Sequence, residues 1–277
     1  MPTRKLLAAR KPSTAIGIAI LTAAFMTAGS ALADQASDKT SQLLNTLEKA
    51  DILDQPDIVR DIEAMGGAAV PTLIDVMNSG DARQRHQAIE IIGRIGQEAQ
   101  AATPNLIESL TDVEAQIRRN AAWALGRVGE EAGDAMPTLL DTATDLQWDV
   151  RADAVWAMGK VVEDTGEWGA VDADLVEAVK GYLADENHHV RWSAAWSLAR
   201  FGPGAEAAIE ALAEALSDYH PKVRASAASA LGEIAASHHE DLIGDALNKA
   251  MDDESPLVRV RAKGALEALR RRVVPGS

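Results

Sequence analysis

A segment built around an arginine recurs six times along the chain, and this repeat constrains the fold more than any other sequence feature. It reads "QRHQAIEIIGRIG", "IRRNAAWALGRVG", "VRADAVWAMGKVV", "VRWSAAWSLARFG", "VRASAASALGEIA" and "VRVRAKGALEALR" in chain order. The repeated arginines are Arg85, Arg118, Arg151, Arg191, Arg224 and Arg259, at steps of 33, 33, 40, 33 and 35 residues. A period of this length predicts stacked units that each contact mainly their neighbours.

Each unit is predicted to be a pair of helices. Apolar residues recur at helical spacing, as Ile117, Ala121, Leu125 and Val128 show, and no stretch alternates as a strand would. The first helices are predicted at 68–78, 101–111, 134–144, 172–184, 205–216 and 241–251; Pro71, Pro104 and Pro137 open three of them, as Pro does in a first turn. The second helices are predicted at 83–95, 115–128, 149–162, 188–200, 221–236 and 256–271. An irregular pair at 41–50 and 56–65 starts the array.

The repeat string D-x-x-x-x-V-R-x-x-A-A-x-A-L-G resembles HEAT repeats, specifically the HEAT-like repeats first associated with phycobilisome lyases. The segment 112–129 matches it best, and the resemblance covers residues 54 to about 270. It implies an all-α fold, an α–α superhelix of about seven helix pairs whose second helices line a concave groove. It says little about function, because such arrays serve many unrelated tasks.

The resemblance also implies a structural role for the repeated acids and arginines. In each of five units an aspartate precedes the arginine by six residues. In a HEAT-like array such residues form a ladder between neighbouring units, and a binding role is the minor alternative. The predicted ladder comprises Asp112, Arg118, Asp145, Arg151, Asp185, Arg191, Asp218, Arg224, Asp253 and Arg259.

Three central units carry a tryptophan five residues after the arginine and a basic residue four residues later. The pairs are Trp123 with Arg127, Trp156 with Lys160, and Trp196 with Arg200. At 100° per residue this position lies opposite the apolar stripe of the helix, so the indoles are predicted to line the groove. We therefore expect Trp123→Ala to cost much less stability than Leu125→Ala.

The tryptophan row has two interpretations. Trp and Arg are frequent anchors of binding interfaces, so the row predicts a binding stripe that Arg119 and Trp192 flank. An acidic segment of another protein or peptide is the expected ligand, and a glycan strand is an alternative. The other interpretation is structural: the rings stack on the neighbouring basic side chains and stabilise the groove wall.

The N-terminus reads as a secretory signal. Basic Arg4, Lys5, Arg10 and Lys11 precede an apolar run of about a dozen residues, and Ala31-Leu32-Ala33 offers a cleavage motif. The predicted organisation is a signal peptide at 1–33, the repeat array at 34–272 and a short tail at 273–277. The predicted location is periplasmic or secreted, with no stable membrane insertion after cleavage; a retained N-terminal anchor is the alternative.

Charge argues against a nucleic-acid partner. The full chain has a formal net charge of −15, and losing four basic residues with the signal changes it to about −19. Such a charge repels phosphate backbones.

Residue patterns for catalysis are weak. The doublets His188-His189 and His238-His239 lie at predicted helix starts or loops, and adjacent His side chains on a helix point in different directions. HEAT-like deoxyhypusine hydroxylases bind iron through repeated His-Glu pairs, but Gln87 follows His86 here and no other unit has His at that position. Metal and other cofactors are therefore not expected. The leading prediction is a non-catalytic binding or scaffold protein; the alternative is an accessory enzyme subunit acting on protein or glycan.

The 40-residue step places extra residues at 163–174. This acidic segment, which contains Trp168, is predicted to be a loop that either edges the groove or only solvates a turn.

Overall fold

The computed structural model of the chain describes residues 14–49, 55–166, 171–234 and 239–273, with side chains described from residue 31 onward except at 130, 131, 272 and 273. These ranges contain helices and turns but no strand. The α-helices are α1 (Thr14–Lys49), α2 (Gln55–Glu63), α3 (Val70–Ser79), α4 (Ala82–Ile95), α5 (Thr103–Ser109), α6 (Ala115–Val128), α7 (Met136–Thr142), α8 (Trp148–Thr165), α9 (Ala173–Gly181), α10 (His188–Phe201), α11 (Ile209–Ala215), α12 (Pro221–Ile234), α13 (Glu240–Ala250) and α14 (Pro256–Val273). The predicted all-α solenoid of about seven helix pairs is confirmed.

Proline and glycine set the limits of several helices. Pro71, Pro104 and Pro137 each lie in the first turn of the first helix of a pair, where their missing N–H costs no hydrogen bond. Gly96 and Gly129 follow the ends of α4 and α6 with φ of 71° and 95°. An L side chain rarely adopts these angles, so glycine lets the chain turn sharply toward the next unit.

The helices form two layers. The second helices of successive pairs pack side by side in the order α4, α6, α8, α10, α12 and α14, and α2 joins this layer through α4. The first helices cover its other side. Between the layers lies one continuous core made mainly of Ala, Leu, Ile and Val. The exposed side of the second-helix layer, called here the second-helix face, is the surface on which the predicted tryptophan row lies.

The first helix is longer than its predicted span of 41–50. Helix α1 begins at Thr14 and runs without a break through Ala33, the predicted cleavage point. No helix in the described ranges is both long enough and apolar enough to cross a membrane. Signal cleavage and the predicted domain limits stay predictions.

Part of the segment predicted to be a loop, 163–174, is helical in the structure. Helix α8 continues to Thr165 and ends at Gly166 in a left-handed conformation. Glu163 and Asp164 therefore lie on an extra turn of α8 instead of in a loop. Trp168 lies outside the described residues.

Candidate functional site

Arginine and aspartate side chains connect neighbouring units in a regular pattern. In each connection the guanidinium binds the aspartate carboxylate of the following unit. Four of the arginines also donate to the backbone carbonyl of the aspartate six residues before them, whereas Arg85 donates to the carbonyl of Gly80. Arg191 shows the full set: its Nε lies 2.6 Å from Asp218 Oδ2, its Nη2 3.1 Å from Asp218 Oδ1, and its Nη1 2.8 Å from the carbonyl of Asp185. Equivalent connections join Arg85 to Asp112, Arg118 to Asp145, Arg151 to Asp185, and Arg224 to Asp253.

The aspartates also hold the turns between helices. Asp218 Oδ1 accepts the backbone N–H of His220 at 2.7 Å, and the other ladder aspartates bind the N–H two residues on. Burial alone would raise the pKa of Asp218, but the hydrogen bonds from Arg191 and His220 outweigh it and hold the pKa below its usual value. Arg259 binds the carbonyls of Asp253 and Glu254. The described residues supply no carboxylate for it from a further unit.

The predicted tryptophans lie on adjacent second helices but are half-buried. A Cβ built at Gly126 of α6 would lie 2.6 Å from Trp156 Cζ3, and Trp123 contacts Gly93 of α4 in the same way. Trp196 packs on Trp156 with ring centroids 6.0 Å apart. Glycine therefore makes room for the indoles of the next unit. This packing argues against the expectation that Trp123→Ala costs much less stability than Leu125→Ala, because the ring fills space between two helices.

Most of the basic residues beside the row have partners within the chain. Lys160 lies 2.7 Å from Glu163 and 3.1 Å from Asp164, and Arg200 lies 3.1 Å from Glu163. Arg119 contacts Asp153 at 2.9 Å. Arg127 is exposed and lies 5.9 Å from the Trp123 ring, while Arg200 lies 4.9 Å from the Trp196 ring. The cation–ring contacts that the structural interpretation requires are thus present at two of the three pairs. At the third pair, the carboxylates of α8 neutralise Lys160.

A groove of about 790 Å³ opens on the second-helix face immediately beyond Trp196. Helices α10, α12 and α14 line it. Trp192 and Trp196 form one wall, and small residues of α12 and α14 form the floor. The floor residues are Ala225, Ser226, Ser229, Gly232, Gly264, Ala265 and Ala268. The groove exists because the last two units carry Ser229 and Gly264 where the three central units carry tryptophan.

The sequence contains the signal for this groove. In the repeat alignment Ser229 and Gly264 mark units that lack the aromatic–basic pair. The groove opens where small side chains replace tryptophan. Comparing side-chain volume at the same repeat position along the array therefore locates the groove.

Comparison with known families agrees with this architecture. The family model described as HEAT repeats matches residues 103–173 and 136–232, which cover most of the ladder, the tryptophan row and part of the groove. This chain is a HEAT-repeat protein. The narrower resemblance to phycobilisome lyase-type repeats stays a prediction. No curated protein shows significant similarity to the chain.

Solved structures show that this HEAT-repeat protein shares its fold with other helical arrays. The crystal structure of an engineered protein has a TM-score of 0.59 at 24% identity, covering 76% of this chain and 96% of that one. The archaeal HEAT-like repeats protein from Thermococcus onnurineus NA1 gives 0.57 at 12%, covering 85% and 98%. Computationally designed armadillo repeat proteins give 0.57 at 21%, covering 72% and 99%. These identities show a common fold.

Five aromatic rings form a column along one edge of the groove of the HEAT-repeat protein. Trp148 stacks on His189 at 5.0 Å, His189 touches His188 at 4.2 Å, and His188 stacks on His220 at 3.9 Å. Tyr219 meets His220 edge-on at 6.5 Å. The two adjacent histidines therefore contact each other, contrary to the expectation that they diverge. In the described ranges no group of three or more acidic or histidine side chains could hold a metal; His238 lies outside them.

The column disfavours protonated histidine. Desolvation is the main cause that lowers the pKa of His188, His189 and His220, and the positive charges of neighbouring groups add to it. The charged groups that face these rings are Asp153 from α8, Arg191 from α10, Asp218 from the turn before α12, and Lys222 from the start of α12. The neutral form of all three rings is therefore favoured.

Mild acid should destabilise the protein through these rings. The unfolded histidines take up protons near pH 6.5, whereas the folded ones resist, so stability falls as the pH drops below about 6.5. The ladder aspartates with lowered pKa lose their contribution only below about pH 4. We expect a His188→Asn/His220→Asn variant to lose less thermal stability than the original between pH 7 and pH 5. His86→Asn, changed on α4 far from the column, should keep the original slope; equal slopes in all three proteins would contradict the assignment.

Proposed function

We propose that this HEAT-repeat protein is a non-catalytic binding module that holds an extended segment of another protein in the groove lined by α10, α12 and α14. The observation that carries the proposal is the groove itself: two indoles beside a floor of small residues, on the face where successive helices offer repeated positions. A row of helices at spacings of about 8–10 Å suits an extended chain that meets one helix after another.

The shape of the groove favours a peptide over a compact ligand. The groove spans three helices, so its length is about 20 Å at that spacing. About six residues of extended peptide cover this distance at roughly 3.3 Å each. Designed armadillo repeat proteins of similar fold were made for modular peptide recognition, which supports the same use of a helical array here.

Two parts of the proposal rest on the sequence alone. Export to the periplasm or exterior rests on the N-terminal signal pattern; a mature chain beginning at Asp34 is what N-terminal sequencing of the exported protein should find. The alternative is that the protein is an accessory subunit of an enzyme that acts on protein or glycan. The groove would then hold the enzyme or its substrate.

A blocking variant tests the groove directly. No atom lies within 4 Å of a Cβ built at Gly264, and the equivalent position holds tryptophan in three other units. Gly264→Trp should therefore fold and fill the groove. Peptides selected from a random display library on the original protein should bind this variant at least about 10-fold more weakly, a loss that an anchor residue readily produces.

The matched control places the same change on the other layer. A Cβ built at Gly244 of α13 also has no atom within 4 Å, and Gly244 does not line the groove. Gly244→Trp should bind the selected peptides within about 2-fold of the original, since it touches no part of the groove. If the library yields no binder, or if the binders ignore Gly264→Trp, the groove is not the binding surface.

A further inference from the structure

The charges around the groove differ from those of the rest of the protein. The chain as a whole is strongly acidic, yet the groove is lined by Arg200, Lys222 and Arg261, and by the carboxylate of Glu233. His188 and His189 also line the groove. A surface that reverses the sign of the whole molecule at one place indicates the charge of what binds there.

The cations of the groove are not equivalent. Arg200 is held by Glu163 and by the Trp196 ring. Lys222 and Arg261 are exposed, and neither forms an ion pair within the described residues. Their positive charges are therefore available to a ligand, which those of Arg119, Lys160 and Arg200 are not.

Lys222 and Arg261 lie along the same edge of the groove. Lys222 is in the first turn of α12 and Arg261 is in the second turn of α14, while His188 and His189 begin α10. Two of the three lining helices thus present basic side chains near their N-terminal ends. The partial positive charge of helix N-termini has the same sign and adds to the attraction for an anion.

Apolar surface runs beside this basic edge. Val260 and Leu257 are 67% and 45% exposed and line the groove next to Arg261. Trp192 and Trp196 provide the facing wall. Because side chains of an extended chain alternate in direction, one set of residues can meet the cations while the other set fills the apolar floor.

From this arrangement we infer that the groove selects an acidic extended peptide in which carboxylates alternate with apolar side chains, with Lys222 and Arg261 as the charge-reading residues. The inference rests on the proposed peptide-binding function and adds the chemistry of the ligand. The carboxylates meet the edge formed by α12 and α14, and the apolar side chains lie over Ser229 and Gly264.

Three synthetic eight-residue peptides provide the test. They alternate leucine with glutamate, with glutamine or with lysine, and each carries a fluorescent label. At pH 7.5 and low salt the glutamate peptide should bind at least about 10-fold more tightly than the glutamine peptide, and the lysine peptide should bind most weakly. The preference should shrink in 0.5 M salt, where exposed charges are screened.

Charge-reversal variants locate the preference. Lys222→Glu combined with Arg261→Glu should abolish the 10-fold advantage of the glutamate peptide. Lys249→Glu combined with Lys263→Glu is the matched control: it changes the net charge equally, at exposed residues of α13 and α14 that do not line the groove. The control should keep at least most of the advantage.

The outcomes separate the inference from the proposed function. Equal binding of all three peptides, or an equal loss of the glutamate preference in both charge-reversed variants, overturns the selection of acidic peptides. The proposed peptide-binding function would still be supported if Gly264→Trp blocks binding of the library peptides. Stronger binding of a single-stranded oligonucleotide than of the glutamate peptide also overturns the inference, because the edge would then select any polyanion. If none of the peptides binds, the inference fails, and the library selection decides separately whether the groove binds peptides at all.

Discussion

Replacing Asp218 by alanine should lower the free energy of unfolding by about 3–5 kcal/mol, the usual cost of leaving one member of a buried ion pair alone. The side chains of Arg191 and Asp218 are only 7% and 9% exposed. Without the carboxylate, the guanidinium of Arg191 keeps its burial but loses two hydrogen bonds. The backbone N–H of His220 loses its acceptor as well.

Two other aspartates calibrate this result in urea unfolding followed by circular dichroism. Asp112 pairs with Arg85 through one hydrogen bond in a more exposed connection, with side chains 16% and 25% exposed. Asp112→Ala should therefore cost less than Asp218→Ala, since water can solvate the remaining arginine. Asp252 is exposed, and Asp252→Ala should stay within about 0.5 kcal/mol of the original. A loss at Asp218 no larger than at Asp112 would show that burial does not set the strength of the ladder.

The repeat makes the fold predictable from the sequence. Second helices predicted at 115–128 and 188–200 lie at Ala115–Val128 and His188–Phe201, because a nearly fixed period aligns the apolar stripe and the arginine of every unit. The same alignment places Trp123, Trp156 and Trp196 in one row. Periodicity gives the direction of a side chain on its helix, and this is enough for the layers and the row.

Periodicity does not give the depth of a side chain or its partners. The repeat predicts that Trp156 stands in the groove, but the small volume of Gly126 lets the next helix approach and half-bury the ring. It also predicts that Lys160 reads charge, but the extra turn of α8 brings Glu163 and Asp164 onto it. The first outcome depends on a side chain that the neighbouring unit lacks, and the second on an extra helical turn. Both are seen only when neighbouring units are compared with each other.

The pairing of glycine with tryptophan predicts a reversal in the effect of one mutation. Gly126→Ala in the original protein brings a methyl group within 2.6 Å of Trp156 Cζ3, and overpacking of this kind costs about 1–3 kcal/mol. Trp156→Ala alone should cost about 2–4 kcal/mol, somewhat below the range for a fully buried aromatic residue because the ring is half-exposed.

In the Trp156→Ala background the same methyl group enters space that the ring has left. Of the three atoms nearest to that methyl group, two belong to the indole, and Ala157 Cα remains at 3.2 Å. Alanine also favours a helix over glycine by about 1 kcal/mol. Gly126→Ala should therefore become neutral or stabilising, with a coupling energy of about 2 kcal/mol in a double-mutant cycle. Gly264→Ala, which meets no atom within 4 Å, should stabilise both backgrounds alike. Additive losses at Gly126 and Trp156 would mean that the indole does not pack on α6 and stands free on the second-helix face, where it would be available to a ligand.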